Sequence, residues 1–241
     1  MKNPVTDKVG KNTLDVVGEA DLFNKWMFQT IYPFSTGKIL EIGSGLGNIS
    51  EFFINNEDEI MLTDLREEYC LSLQHKFGSK QNLLGIDKLN LIHPEFEQAY
   101  SNHLEKYDTV FALNVIEHIE DDDLAISNCK KLLRKGGHLI ILVPSYQKLY
   151  NRFDKELGHF RRYTIETLSD LFEKNGIEII HKKYFNFIGV FGWYISGGLL
   201  KKDTIPSSQM RIYNKLVPLW KRVDRLLKNR IGLSTIVVGR K

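Results

Sequence analysis

The chain has 241 residues, 42% hydrophobic and 26% charged, enough apolar content for a substantial core and too mixed for global disorder. Its two cysteines, Cys70 and Cys129, lie far apart without metal-ligand spacing, which argues against a disulfide framework and a zinc site and fits a reducing compartment. The net charge of +3 is uneven: Lys201 to Lys241 holds eleven Lys/Arg and two Asp/Glu, and the remainder twenty-two basic and twenty-eight acidic residues, so the tail alone is basic. Met1 to Asp15 is polar and lacks the apolar run of a secretory signal. Phe185 to Leu200, the longest apolar stretch, is too short and too broken by Asn186 and four glycines to read as a membrane span.

In chain order, Leu14 to Tyr32 reads as one or two helices with Leu22, Phe23, Trp26, Met27 and Thr30 as the apolar stripe. Pro33 and Gly37 end it. A first strand, Lys38 to Ile42, runs into a glycine-rich turn and a helix from about Leu46 to Asn55. Glycine admits close backbone approach to a ligand, and a helix start offers free N–H groups. Asp64 closes the second strand, Glu59 to Asp64, where a carboxylate can accept from both hydroxyls of a ribose. The layout suits a ligand with an adenosine at one end. A dinucleotide fingerprint is not met, because the glycines are Gly43, Gly45 and Gly47 and Asn48 takes the third position.

The E-x-G-x-G-x-G order of Glu41, Gly43, Gly45 and Gly47 resembles motif I of class I S-adenosylmethionine-dependent methyltransferases. The resemblance implies a cofactor site of Glu41, Gly43, Ser44, Gly45, Gly47, Asp64 and Leu65, with Glu41 beside the cationic methionine part. Arg66 to Phe77 is helical by pattern, Lys88 to His93 is a plausible third strand, and Tyr107 to Val115 a fourth. Asn114 to Asp121 resembles the family's N-V-L-E-H-x-x-D stretch, which implies that Asn114 and Val115 line the cofactor and that Glu117 and His118 face or brace the active site. His118 reads equally well as a helix-entry residue satisfied by backbone. The family often has an acid near the adenine amino group after the third strand; Glu95 is the first candidate and Glu97 the second, and a solvent-facing loop acid is the alternative for either.

Asp121 to Asp123 opens the next helix, Lys131, Arg134 and Lys135 close it, and Gly136-Gly137 stop it before a fifth strand, His138 to Val143. Lys131 to Gly137 resembles the family's L-x-P-G-G segment, with Lys135 in place of proline. Pro144 to Thr164 then places His159, Arg161, Arg162 and Tyr163 within five residues at the carboxyl edge of the sheet. His159 is a base candidate, either arginine can clamp a carboxylate, phosphate or sugar oxygen, and Tyr163 adds a phenol. The alternative is an ion-pair network of Asp154 and the arginines that pins the loop. The P-x-x-x-x-L-Y-x-x-x-D-x-x-x-G-H-x-R-R-Y pattern resembles a bacterial and archaeal methyltransferase subgroup, whose members often accompany glycosyltransferases of surface-polysaccharide and lipid-linked sugar pathways.

Thr164 to Thr167 reads as a capping box, starting a helix that ends near Asn175-Gly176. Ile177 to Tyr184 is the sixth strand and Ser234 to Gly239 the last. Between them Tyr213, Leu216, Val217, Trp220, Val223 and Leu227 share a helical face, with Arg211, Lys215, Lys221, Arg222, Arg225 and Lys228 around the other, and Pro218 marks a first turn or a kink. Such a helix can lie on an anionic membrane or serve as a lid with its apolar face on the core.

Together these features read as one α/β domain, a doubly wound, mostly parallel seven-stranded sheet. It comprises a helical cap over 1–36, a cofactor-binding core over 37–184, a helical lid over 185–230 and the last strand over 231–241. The resemblance implies methyl transfer from S-adenosylmethionine, leaving S-adenosylhomocysteine, to an oxygen of a small molecule, sugar or lipid-linked glycan, without a metal. The alternatives are an RNA or protein methyltransferase using the basic C-terminal region, or a non-catalytic cofactor-binding partner. The [DN]-P-P-[FY] motif common in base-amino methyltransferases is absent, no aromatic stacking motif points to RNA, and no DNA partner is expected. The expected location is cytoplasmic, with peripheral membrane contact through 201–230 as an option.

Overall fold

The computed structural model describes residues 8–195 and 207–241, with side chains from residue 13 onward. Residues 196–206, part of the expected lid, lie outside the described residues. The strands are β1 (Ile39–Ile42), β2 (Ile60–Asp64), β3 (Leu83–Lys88), β4 (Tyr107–Leu113), β5 (Leu133–Pro144), β6 (Glu178–Phe185) and β7 (Ser234–Arg240). They form one seven-stranded sheet in the order β3-β2-β1-β4-β5-β7-β6, parallel except for β7, which is antiparallel to both neighbours. Every residue of β1 and β2 is buried, as short apolar runs require when both sheet faces are covered. The expected doubly wound sheet is therefore what the chain builds.

The helices are α1 (Lys8–Gly18), α2 (Asp21–Ile31), α3 (Ser50–Asn55), α4 (Glu67–Phe77), α5 (Phe96–Ala99), α6 (Asp122–Leu132), α7 (Arg152–Leu157), α8 (Ile165–Lys174), α9 (Phe187–Trp193), α10 (Ser207–Lys215) and α11 (Val217–Leu226). Two cores flank the sheet. One packs Ile126, Cys129, Leu168 and Phe172 of α6 and α8 on Val110, Leu139 and Ile141. The other packs Trp26, Met27, Ile31 and Phe53 of α2 and α3 on Ile60, Phe111 and Ile140. Local chemistry fixes the helix starts: Asp121 accepts from Leu124 N–H, and Thr164 and Thr167 form the expected reciprocal box. β1 pairs with β2 on one side and β4 on the other, so the winding reverses there and a crevice opens at the carboxyl ends of β1 and β4.

Several boundaries differ from the sequence reading. The third strand is Leu83–Lys88, five residues earlier than Lys88 to His93. As an edge strand it is only half-buried, and a register shift between Ile60 and Met61 skips a residue near Gly85, so it lacks a continuous apolar run. The helix after the glycine turn starts at Ser50 rather than Leu46, because the turn continues through Gly47 in the left-handed region (φ 75°). α6 ends at Leu132, and the chain passes directly into extended pairing of Leu133 with Tyr107, so Gly136-Gly137 sit inside β5. Leu22 is exposed, whereas α2 buries Trp26, Met27, Thr30 and Ile31. Pro218 lies in the first turn of α11. Val217 is buried and Tyr213 and Trp220 pack on the core, while Leu216 and Leu227 remain exposed. No described helix is long and apolar enough to cross a membrane.

Candidate active site

The glycine turn leaves β1 with Gly43, Gly45 and Gly47 all at positive φ, between 54° and 75°. Gly43 and Ser44 both donate backbone N–H groups to Thr63 O at 2.9 Å, which locks the turn onto β2. A Cβ on Gly43 would come within 2.5 Å of Val115 Cγ2, so only glycine lets the segment after β4 approach this closely. Asn114, just before Val115, is itself left-handed (φ 55°) and donates its N–H to Leu142 O. The structure thus brings Gly43, Ser44, Gly45, Asp64, Asn114 and Val115 into one crevice.

Asp64 fastens the turn from the next strand: its Oδ2 accepts from Gly45 N–H and its Oδ1 from Arg66 N–H, each at 2.9 Å. Burial raises its pKa against these bonds. Each oxygen keeps a second lone pair, the capacity a ribose diol needs. Leu65, beside it, is exposed. Glu41 is buried beneath the turn and accepts from Ser50 Oγ of α3; burial pushes its carboxyl up to about 7. Over the turn lies α1, where Leu14 faces Gly45 and accepts at its backbone oxygen from Asn48 Nδ2.

The two acids read from sequence for the adenine lie beyond the end of β3, at the start of α5 and within it. Because β3 ends at Lys88, the residue joined to Asp64 is Leu89, whose N–H donates to Asp64 O. Glu95 is exposed at the start of the four-residue α5, donating its N–H to His93 Nδ1, and Glu97 pairs with Lys131 at 2.8 Å.

The second half of the site is the loop after β5. Phe160 N–H donates to Glu117 O at 2.8 Å, clipping this loop onto the turn after β4. That clip sets His159 against Glu117 and His118. The His118 and His159 rings meet edge-to-face with centroids 4.6 Å apart, and His159 Nε2 lies 4.0 Å from Glu117 Oε1. The other ring nitrogen, Nδ1, is 2.8 Å from Asp154 Oδ1. Burial would raise Asp154, but His159, Arg162 and the Asn151 N–H outweigh it and hold this carboxyl below its usual range. An ionised Asp154 accepts from His159 Nδ1–H, which fixes that proton and points Nε2 toward Glu117. Glu117 is fully buried and neither carboxylate oxygen has a hydrogen-bond partner among the described residues; burial pushes it up to about 7 against the pull of His159.

The arginines and the phenol are engaged by the protein itself. Arg162 is buried, bonds Asp154 through Nε at 2.8 Å and Ser145 O at 3.1 Å, and lies over the Trp193 ring at 4.6 Å. Arg161 binds Asp122 at 2.8 Å and Glu120 O at 2.7 Å. Tyr163 donates to the same Asp122 at 2.8 Å, and burial pushes its phenol well above the ordinary range. Both arginines take part in the ion-pair network that the sequence offered as the alternative to a clamp, Arg162 with Asp154 and Arg161 with Asp122. Sequence reasoning missed the Asp154–His159 bond, although the D-x-x-x-G-H spacing carries it, and the lack of a hydrogen bond to the Glu117 carboxylate among the described residues, for which a sequence holds no signal.

Residues 40–139 match the family model described as a methyltransferase domain. Over 151 residues, 55% of the chain, the sequence is 26% identical to polyketide synthase PksR of Bacillus subtilis. Over 149 residues, 54% of the chain, it is 26% identical to probable polyketide synthase 42 of Dictyostelium discoideum. In both cases the match spans 6% of the relative's length. Among solved structures, a SAM dependent methyltransferase from Archaeoglobus fulgidus superposes with a TM-score of 0.59 at 16% identity, covering 92% of this chain and 94% of that one. Phosphoethanolamine N-methyltransferase 2 of Haemonchus contortus, solved with S-adenosyl-L-methionine, superposes with a TM-score of 0.62 at 17% identity, covering 100% of this chain and 58% of that one. These superpositions establish the fold.

Proposed function

We propose, for a chain whose residues 40–139 match a methyltransferase domain model, that it is a class I methyltransferase transferring a methyl group from S-adenosylmethionine to an oxygen of a small-molecule, sugar or lipid-linked acceptor. The observation that carries this reading is the joining of the glycine turn and Asp64 to the Glu117–His118–His159 cluster through Asn114 and Val115. One end suits an adenosine, and the other offers carboxylate and imidazole to an acceptor's proton. Bound there, the sulfonium supplies an electrophilic methyl carbon and leaves as a neutral thioether.

The chain's own part is position and proton management. Asp64 holds the ribose, and the glycine turn lets backbone N–H groups approach the nucleoside. Glu41, buried with a raised pKa, is drawn toward its charged form by a nearby cation and so favours the sulfonium over the neutral product. Asp154 fixes the His159 ring, and the cluster takes up the proton that the acceptor oxygen loses as it attacks in line. The exposed Leu216, Leu219 and Leu226 alternate with the exposed Lys215, Arg222 and Arg225, a surface suited to an anionic membrane bearing a lipid-linked acceptor. A carbon acceptor is the second reading, favoured by the polyketide synthase relatives and by a 14% identical structure described as a CurJ carbon methyltransferase. There the same imidazole would remove a proton from carbon.

The test is calorimetric titration with S-adenosylhomocysteine, followed by isotopic methyl transfer to sugar, lipid-linked and β-ketoacyl acceptors. Micromolar binding that weakens by about 1–3 kcal/mol in Asp64→Ala is expected. His159→Ala should lower turnover far more than it lowers this affinity. Absence of binding would overturn the proposal, and label on carbon alone would replace the oxygen reading with the second one.

A further inference from the structure

We infer that Glu117, His118 and His159 form a binding site for a divalent transition-metal cation that holds the acceptor's hydroxyl oxygen. The inference rests on the methyltransferase reading and names the device by which the acceptor is activated.

Each of the three residues offers one ligand atom, and these atoms all lie within 4.8 Å of one another. Two ligands each about 2.1 Å from one metal sit roughly 3.0–4.2 Å apart, depending on the angle between them. The 4.0 Å between His159 Nε2 and Glu117 Oε1 already falls in that span. His118 is the exposed member of the three, with Glu117 and His159 buried behind it.

Two further observations point to a cation. Glu117 is wholly buried with neither oxygen hydrogen-bonded among the described residues, an arrangement that is costly for a carboxylate unless a positive charge completes it. Arg162 does not supply that charge directly, since its guanidinium bonds Asp154 and Ser145. Asp154 also bonds His159 Nδ1, which turns Nε2 toward Glu117. A carboxylate behind a histidine in this manner fixes the tautomer and raises the basicity of a metal-ligating imidazole. With Arg162 balancing Asp154, the cluster presents two imidazoles and one carboxylate. That donor set suits zinc, manganese or iron and leaves coordination positions for substrate. Glu117 and His159 are 42 positions apart in sequence and no cysteine takes part, so ligand spacing gives no hint of the site.

The cation's effect on the reaction is a change in where the proton goes. A hydroxyl bound to the metal ionises near neutrality and releases its proton to solvent. The oxygen lone pair forms the new O–C bond, and the C–S bond breaks with its pair passing to sulfur. The negative oxygen and positive sulfonium cancel, and the metal keeps its oxidation state. Glu117 and His159 then act as ligands, not as bases.

The test uses the whole chain, stripped with a chelator and titrated with Zn²⁺ and Mn²⁺ by calorimetry, with S-adenosylhomocysteine titrated in parallel. Near-stoichiometric binding is expected, weakened at least tenfold in Glu117→Gln and in His159→Ala, with S-adenosylhomocysteine affinity within threefold of the parent. Co²⁺ loading should give visible absorption that His159→Ala abolishes, a readout that needs no turnover. The near-isosteric Glu117→Gln guards against a folding defect. No cation binding to millimolar concentration, or binding indifferent to both substitutions, would overturn the metal site and leave methyl transfer with direct proton removal. Cation binding without S-adenosylhomocysteine binding would support the metal site and remove the methyltransferase reading on which its role rests.

Discussion

The two halves of the crevice are built by different means. The glycine turn is held by backbone: Gly43 and Ser44 donate to Thr63, Gly45 to Asp64, and the geometry follows from left-handed glycines. The loop after β5 is held by buried charge, with Asp154 gripping His159 and Arg162, and Asp122 gripping Arg161 and Tyr163. The first depends on main-chain donors of the turn and on their acceptors Thr63 and Asp64 in β2. The second is a long-range arrangement in which each ion depends on its neighbour.

Asp154→Asn tests that contrast most severely. It strands the buried Arg162, and removal of one partner of a buried pair costs about 3–5 kcal/mol. Chemical denaturation should register this loss, while S-adenosylhomocysteine affinity of the folded fraction should change little if the halves are independent. Gly43→Ala attacks the other half, adding a methyl 2.5 Å from Val115 at a φ of 74°. About 2–4 kcal/mol of stability should go, with collapse of cofactor binding in calorimetry.

Glu41 sharpens the comparison through pH. Its folded pKa is raised from 4.5 to about 7, so its contribution to stability is fully present below pH 4.5 and is lost as pH rises toward 7. The loss is up to about 3 kcal/mol by the free-energy equivalent of such a shift. Melting curves of the ligand-free protein should fall across that window, and Glu41→Gln should flatten the fall. The smallest effect belongs to Arg161→Ala: this partly exposed pair with Asp122 should cost about 0–1 kcal/mol, read as a small shift in melting temperature.

The same contrast explains what the sequence discloses. Most strands and the glycine turn were legible because apolar runs and glycine spacing are local signals. β3 was misplaced because an edge strand carrying Gly85 and Asp87 has no continuous apolar face, whereas the nearby Leu91 and Ile92 imitate one. For Arg161 and Arg162 the sequence left a substrate clamp and an ion-pair network with Asp154 both open, and it did not name Asp122 as the partner of Arg161. Asp122, read only as a helix-dipole residue, accepts from both Arg161 and Tyr163. Glu117 was visible as a motif residue, but its isolation depends on the packing of strands and loops distant in sequence.

α1 roofs the glycine turn through Leu14 and Asn48 and touches α7 and α10, yet it pairs with no strand. The cover over the turn is therefore held by helix packing and the Asn48–Leu14 bond and not by any rung of the sheet. The roof over the turn is thus anchored at the α1–α2 junction, where Ala20 N–H donates to Val17 O and Asn24 Nδ2 donates to the same oxygen, and not by the sheet.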